Sequence, residues 1–338
     1  MNRARAEAVK NISNATGSKK KERFRWEKNT PSSAEMKDQS QEALPFRAGY
    51  VAIIGEPNVG KSTLINLFVG QNVSAVTRKP QTTRQRILGI LSTDQFQAVF
   101  IDTPGLLEPR YLLHEIMVRS AVNAFWDADV IIVVADSAEN HKSEKSLVIE
   151  KLQNIKKPVY LALNKIDLIS EQKLRKLVKY YGEVYPFREI FPISALKQSG
   201  TSDLLKSVIN DLPVHPPLYP PDIVSDYPEK FFVGEIIREK IFESYKEEIP
   251  YSTAVEIIEY SEREGRKDVI RAEIIVERES QKAILIGKGG KAMKEIGKKA
   301  RIDIEKFLGR EVFLELFVKV RANWRNDQQW LKRFGYLK

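Results

Sequence analysis

One eight-residue turn constrains this chain more than any other feature: Gly-Glu-Pro-Asn-Val-Gly-Lys-Ser at 55–62, which follows the pattern G-x-x-x-x-G-K-[ST]. Such a turn works only between a buried strand and a helix. Its main-chain N–H groups then wrap an anion at a helix N-terminus, where the peptide dipoles already favour negative charge. The flanks provide that setting, with an apolar run at 50–55 and an amphipathic helical pattern after Lys61. The candidate phosphate cradle is therefore Gly55, Asn58, Val59, Gly60, Lys61, Ser62 and Thr63. Lys61 is placed to reach terminal phosphates and the Ser62 hydroxyl to bind Mg²⁺.

Beyond the turn, short apolar runs alternate with helical segments. Strands are expected at 50–55, 98–102, 129–136, 159–164 and 190–194, and most are apolar on both faces. Runs of that kind imply a mostly parallel sheet covered on both sides, hence a doubly wound α/β domain over 49–212. Candidate site residues stand at the strand ends. Asp102, followed by Thr103, Pro104 and Gly105, offers a carboxylate for the Mg²⁺ shell and a glycine N–H for a γ-phosphate. Asn164, Lys165 and Asp167 close a later strand. Asp167 can accept from the N1–H and N2–H₂ edge of guanine, a donor pair that adenine lacks, so a pairing there selects the base. Asn164 would brace the loop, and the Lys165 stem would cover the base face. Ser194, Ala195 and Leu196 follow the last strand and place the Ala195 N–H near guanine O6. These four elements, in this order, resemble the P-loop GTPases related to the translational GTPases. The resemblance covers 50–212 and implies a GTP/GDP site with Mg²⁺.

Thr82 and Thr83 lie in the polar stretch 80–84, suited to a mobile switch in which a threonine binds Mg²⁺ and senses the γ-phosphate. The residues alone leave the choice between the two open. Leu106 and Leu107 follow Gly105, where many GTPases carry a water-orienting glutamine, and an apolar side chain cannot do that task. Slow intrinsic turnover is expected, with catalysis resting on Lys61, Asn58, Thr82 or Thr83, and Gly105. In related GTPases activated by potassium an asparagine at the Asn58 position binds the ion, which makes K⁺ a candidate cofactor.

Five prolines, Pro213, Pro216, Pro217, Pro220 and Pro221, end the α/β pattern. Proline continues neither a helix nor a central strand, so 213–225 reads as a stiff linker. A smaller α+β domain is expected over 226–338: a helix at 229–245, strands at 252–260 and 268–276, a helix, a glycine-rich turn, a long helix and a strand at 311–319. The turn, Ile286-Gly287-Lys288-Gly289-Gly290-Lys291, carries the I-G-x-x-G signature of a KH module. Its glycines let a nucleic-acid backbone approach a helix N-terminus, and its lysines supply positive charge. Lys294, Lys298, Lys299 and Arg301 extend the basic row, mostly along one helix side, and Ile284, Ile286, Met293 and Ile296 are candidates for an apolar floor. The candidate RNA contacts are Ile286, Gly287, Lys288, Gly289, Gly290, Lys291, Lys294 and Lys298.

The whole arrangement is similar to the Era family of bacterial ribosome-assembly GTPases, in which a GTPase domain precedes a type II KH domain. Further matching pieces are Arg78-Lys-Pro-Gln-Thr-Thr-Arg84, Glu235-Ile-Ile-Arg-Glu-Lys240, Val276-Glu-Arg-Glu279, Glu315-Leu-Phe-Val-Lys-Val320, Asn323-Trp324-Arg325 and Gly335-Tyr336, so the resemblance covers 49–338. It implies a GTP-hydrolysing switch that binds 16S ribosomal RNA near its 3′ end and assists assembly of the 30S ribosomal subunit and rRNA maturation. In that scheme GTP opens the RNA groove and hydrolysis resets it. A monomer is expected, cytoplasmic or peripheral on the inner membrane.

Composition narrows the alternatives. No apolar run reaches the ~18 residues that a membrane-spanning helix needs. With no cysteine there is no disulfide framework, Cys metal site or thiol nucleophile. Residues 1–48, with 11 basic and 6 acidic side chains, read as a disordered basic tail. Its acids, Glu22, Glu27, Glu35, Asp38 and Glu42 among them, weigh against an organellar transit peptide, an origin that stays open. The net charge of +10 is uneven: +5 lies in the tail, +2 in 49–225, −6 in 226–280 and +9 in 281–338. The surplus thus points to RNA along 287–301, with the acidic stretch as a shield on the wrong face. Two other functions compete: an RNA-binding module whose nucleotide is never turned over, and a GTPase acting on tRNA modification, which the C-terminal KH signature disfavours.

Overall fold

A computed structural model describes residues 45–77, 79–139 and 147–337. The tail expected at 1–48 therefore lies outside the described residues up to 44. Its last two positions are not tail: Arg47 pairs with Phe96 at the start of the first strand, and Ala48 is buried.

The first domain runs β1 (Arg47–Ile54), α1 (Lys61–Val69), β2 (Ile87–Ser92), β3 (Phe96–Asp102), α2 (Leu112–Asp127), β4 (Val130–Asp136), α3 (Leu147–Leu152), β5 (Val159–Asn164), α4 (Glu171–Val184), β6 (Glu189–Pro192) and α5 (Thr201–Asn210). The sheet order is β2-β3-β1-β4-β5-β6. Only β2 runs antiparallel to its neighbour. A tight turn at Thr93–Gln95 folds it back on β3, and its apolar run is buried throughout except at Ser92. Successive strand residues face opposite sides. Ile53, Phe100 and Ile132 pack with Leu64 and Phe68 of α1 and with Leu204 of α5. Ile54, Ile101 and Val133 pack with Phe125 of α2 and Leu177 of α4. With both faces closed, a ligand has only the strand ends. From β1 the chain crosses to β3 on one side and β4 on the other, so the 55–62 turn opens into the crevice at that reversal.

The proline-rich stretch is not a free spacer. Gln97 Oε1 accepts from the Leu218 and Tyr219 N–H groups at 2.7 and 2.9 Å, and its amide donates to the Tyr219 carbonyl at 2.8 Å. The Ile90 N–H, on the outer edge of β2, donates to the Val224 carbonyl at 2.9 Å. Proline cannot extend the sheet, but a strap lying along it covers an edge that would otherwise be left unpaired.

The second domain comprises α6 (Glu229–Ser244), α7 (Ile249–Ser252), β7 (Ala254–Ser261), β8 (Asp268–Val276), α8 (Glu279–Ile286), α9 (Lys291–Leu308), β9 (Val312–Val320) and α10 (Gln328–Arg333). In its sheet, β8 is antiparallel to β7 and parallel to β9. Ile237 and Ile241 of α6, Ile270 and Ile274 of β8, and Ile296 and Ile304 of α9 make its core. A separate apolar cluster joins the domains, with Leu113, Ile116 and Met117 of α2 against Ala254, Ile275, Trp324 and Leu331. Among the described residues no helix is long and apolar enough to cross a membrane.

Candidate functional site

The strand ends enclose a cleft of about 930 Å³. Gly60, at φ 101°, begins α1, and a Cβ there would stand 2.3 Å from Asn164 Nδ2, so only glycine closes this turn. Lys61 is 6% exposed and donates to the Gly55 and Glu56 carbonyls at 3.1 and 2.7 Å. Burial lowers its pKa to about 8 despite the nearby Asp102 and Glu56. An incoming phosphate oxygen would replace two neutral acceptors with a charged one.

The metal end is built on Asp102. Its Oδ2 accepts from Ser62 Oγ at 2.9 Å and Thr83 Oγ1 at 3.2 Å, and also from the Ser74 hydroxyl. Its buried Oδ1 has no partner, and burial pushes the carboxyl above its ordinary range. An orphaned carboxylate oxygen beside hydroxyls is a donor set for a hard cation that takes oxygen ligands, and Mg²⁺ fits it. The two switch threonines part here. Thr83 Oγ1 lies 3.0 Å from Ser62 Oγ, whereas the Thr82 hydroxyl donates to the Lys79 carbonyl at 2.9 Å and pairs with Thr77 at 2.6 Å. The Thr82 hydroxyl is thus turned away from Asp102, towards Lys79 and Thr77, and Thr83 is the threonine that the fold brings to the metal end.

At the base end Asn164 spans two loops, donating to the Val59 carbonyl at 2.8 Å and accepting from the Ala195 N–H at 2.9 Å. The Ala195 N–H, expected to face guanine O6, is thus taken by Asn164, the acceptor within its reach. Lys165 donates to the Asn58 carbonyl at 2.8 Å and to the Asp136 carboxylate. Asp167 is exposed, and its Oδ1 accepts from Ser194 Oγ at 2.6 Å. Leu168 and Leu196 line the cleft as exposed apolar side chains that a flat base would cover. Asn58 and Gly105 also line it; Leu106 is buried in the core and faces no water. Gly55 and Thr63 complete the turn and the first turn of α1. Two further side chains, Ser74 and Asp136, carry no local pattern that would have revealed them. Phe242 and Glu243 of α6 close the cleft from the second domain.

On the second domain, Gly287 ends α8, residues Lys288–Gly290 form a single 3₁₀ turn, and α9 starts at Lys291. Gly289 and Gly290 have φ of 62° and 75°, and a Cβ at either would meet nothing within 4 Å. The turn is therefore open to an approaching backbone. Lys288, Lys291, Lys294, Lys298 and Lys299 are exposed and make no ion pair among the described residues, while Arg301 reaches Glu305 at 4.0 Å. Ile284 is exposed and Ile286 half-buried, but Ile296 belongs to the core and cannot serve as a floor. The acidic stretch is not a bare shield either. Arg310 pairs with Glu229 and Asp268, Lys319 with Glu273, Arg325 with Glu277 and Arg333 with Glu256. Opposite charges this close in the fold pair before they repel a distant ligand.

Fold and site together define a P-loop GTPase domain joined to a KH domain. Residues 50–165 match the family described as 50S ribosome-binding GTPase, and 248–325 match the KH domain. The chain is 46% identical over 293 residues to the chloroplastic GTPase ERA1 of Zea mays, covering 86% of this chain and 70% of that one. It is 44% identical over 293 residues to the chloroplastic ERA-like GTPase of Arabidopsis thaliana, covering 86% and 69%. Two solved structures superpose on nearly the same stretch. A point variant of Aquifex aeolicus Era bound to GDP·AlF₄⁻ is 40% identical with a TM-score of 0.81, covering 86% of this chain and all of that one. Era in complex with MgGDPNP and nucleotides 1506–1542 of 16S ribosomal RNA is 40% identical with a TM-score of 0.82, covering 87% and 100%. The chain belongs to the Era family of GTPases.

Proposed function

We propose that 49–212 binds GTP or GDP with Mg²⁺ and hydrolyses GTP slowly, and that the nucleotide state controls how 226–338 binds small-subunit rRNA near its 3′ end, in support of 30S assembly and rRNA maturation. What supports this most is the Asp102 oxygen left without a partner between Ser62, Thr83 and Ser74, in a cleft that ends at Asp167. Ser62, Thr83 and Asp102 would hold Mg²⁺, whose charge would offset that of the phosphates. Lys61 leaves its loop carbonyls for the terminal phosphates. Gly105, packed on Pro57 and lining the cleft, would offer its N–H to the γ-phosphate. No side chain at the Leu106 position orients water, so turnover rests on positioning and charge.

The exposed Asn58 lines the cleft beside Lys61, which supports K⁺ as an activating ion. Hydrolysis is then several-fold faster in K⁺ than in Na⁺ at equal ionic strength, and equal rates remove the ion. The chloroplast names of the plant relatives favour an organelle over a bacterial cytoplasm as the compartment. A fluorescent fusion to residues 1–48 decides between them.

Multiple-turnover phosphate release tests the reaction. Lys61→Ala should lower it at least ~100-fold, since it removes a buried charge from the phosphates, and leave RNA affinity without nucleotide unchanged. Release from the wild type no faster than from Lys61→Ala would mean a nucleotide that is bound and never turned over. Crosslinks confined to tRNA would favour the tRNA-modification function.

A further inference from the structure

The segment that carries the switch threonines is gripped by buried cations at the domain boundary. Arg84 is 4% exposed, and its guanidinium donates to the carbonyls of Thr253 at 2.7 Å and of Pro250 and Tyr251 at 3.0 Å each. It also lies 5.7 and 6.0 Å from the ring centroids of Phe242 and Trp324. Arg238 of α6, 1% exposed, reaches the other way and donates to the Thr82 carbonyl. Its Nε donates to Glu235 at 2.8 Å, which holds the guanidinium in place, while Nη1 stays buried without a partner. The Lys79 ammonium rests on the Phe242 and Tyr245 carbonyls at the C-terminal end of α6, where the helix dipole favours a cation. Anchors at 79, 82 and 84 thus bracket Thr83, whose hydroxyl lies against Ser62 and Asp102.

We propose that Arg238, together with Arg84, is a positioning residue for the metal end of the nucleotide site: by holding the Thr82 carbonyl, the first helix of the RNA-binding domain sets whether the Thr83 hydroxyl stays within reach of Ser62 and Asp102. This rests on the GTP·Mg²⁺ site proposed above. Neither arginine touches the nucleotide cleft, and both act through the main chain on either side of Thr83. Anchors at the Thr82 carbonyl and at the Arg84 side chain restrict the main-chain rotation that would carry the Thr83 hydroxyl away from Ser62 and Asp102. By reciprocity, a triphosphate complex that needs Thr83 favours the docked arrangement of the two domains, and undocking weakens that complex more than the diphosphate one.

The test uses the full chain and two readouts other than turnover: the Mg²⁺ concentration for half-maximal binding of a non-hydrolysable fluorescent GTP analogue, and amide hydrogen exchange across 79–86 with that analogue bound. Arg238→Gln should raise the Mg²⁺ midpoint at least fivefold and speed exchange across 82–84 at least tenfold, while GDP affinity stays within twofold. Arg84→Lys, which keeps a donor for the carbonyls, should recover most of what Arg84→Leu loses. In a Thr83→Ala background, Arg238→Gln should change the Mg²⁺ midpoint less than twofold, because the hydroxyl it positions is gone. Unchanged midpoints in both arginine variants overturn the proposal, as do effects that multiply undiminished with Thr83→Ala, or a parallel fall of GDP affinity and melting temperature in every variant. Should Arg238→Gln not fold, the Arg84→Lys and Arg84→Leu pair distinguishes the same outcomes. A wild type that binds no GTP analogue fails the nucleotide site itself, whereas a binding wild type with indifferent arginine variants fails only the positioning role.

Discussion

Two glycine turns in this molecule lead into a helix N-terminus, and they are built in opposite ways. Gly60 leads into α1 and Gly290 into α9, and neither helix carries an acid in its first turn to cancel the dipole. Around the first turn the groups at the phosphate and metal end are enclosed. Lys61 is buried on loop carbonyls, Asn164 fills the space beside Gly60, and Asp102 gathers three hydroxyls. The second is open at its tip: a Cβ on Gly289 or Gly290 meets nothing within 4 Å, and the neighbouring lysines stand in solvent without an ion pair among the described residues. Enclosure suits a small ligand of fixed shape, since buried polar groups left unmatched by the wrong ligand are costly. Openness suits a polymer whose backbone must pass through, and it makes binding depend on salt through counterion release.

The sharpest way to break the contrast is at the base pocket. Asp167→Asn removes the acceptor of the guanine edge and should weaken GTP about 100-fold, or ~2.7 kcal/mol, while xanthosine triphosphate gains because its C2 oxygen accepts from the new amide. Competition between the two nucleotides reads this out, and an unchanged base preference removes Asp167 from the pocket. At the open turn the matching change is Gly289→Asp. The added Cβ meets no protein atom, so the fold persists at the cost of a left-handed non-glycine residue, about 1 kcal/mol. RNA affinity should fall about tenfold with GTP affinity unchanged, measured by fluorescence anisotropy on the same samples. An equal loss of both would merge the sites that the structure separates.

Acidity distinguishes the two turns more gently. With the Lys61 pKa lowered to about 8 by burial, the folded protein without nucleotide loses this proton as the pH rises through 8, while the unfolded chain holds it to 10.5. Between those values the unfolded state binds more protons, so this group's contribution to folding stability rises with pH. Nucleotide affinity moves the other way, since binding must restore the ammonium, and should weaken several-fold per pH unit above about 8 with proton uptake on binding. Calorimetry in buffers of different ionisation enthalpy measures that proton; no uptake at pH 9 contradicts the buried, phosphate-seeking lysine.

Much of this architecture is legible in the sequence because it is local. The 55–62 turn, the apolar strands and the residues closing them need only neighbours along the chain, and so does the order of elements around 286–291. What stays hidden depends on contacts between distant segments. Nothing about two adjacent threonines says that Arg238, 156 positions away, takes the carbonyl of the first and leaves the hydroxyl of the second at the metal end. Ser74 and Asp136 are single polar residues given meaning only by Asp102 and Lys165. The proline-rich stretch 213–225 looks like a spacer until the open edge of β2 is seen to bind Val224, and Gln97 to bind Leu218 and Tyr219. Charge counts by segment mislead for the same reason, because Arg310, Lys319, Arg325 and Arg333 are committed to acids of the preceding stretch.

The central claim is that an enclosed nucleotide site governs an open RNA site, and crosslinking the full chain to cellular RNA with GTP analogue or GDP bound tests it most directly. Contacts should map to small-subunit rRNA near its 3′ end, through peptides spanning 286–298, and be at least several-fold stronger with the GTP analogue. Contacts absent from ribosomal RNA, or equal in the two nucleotide states, would contradict it.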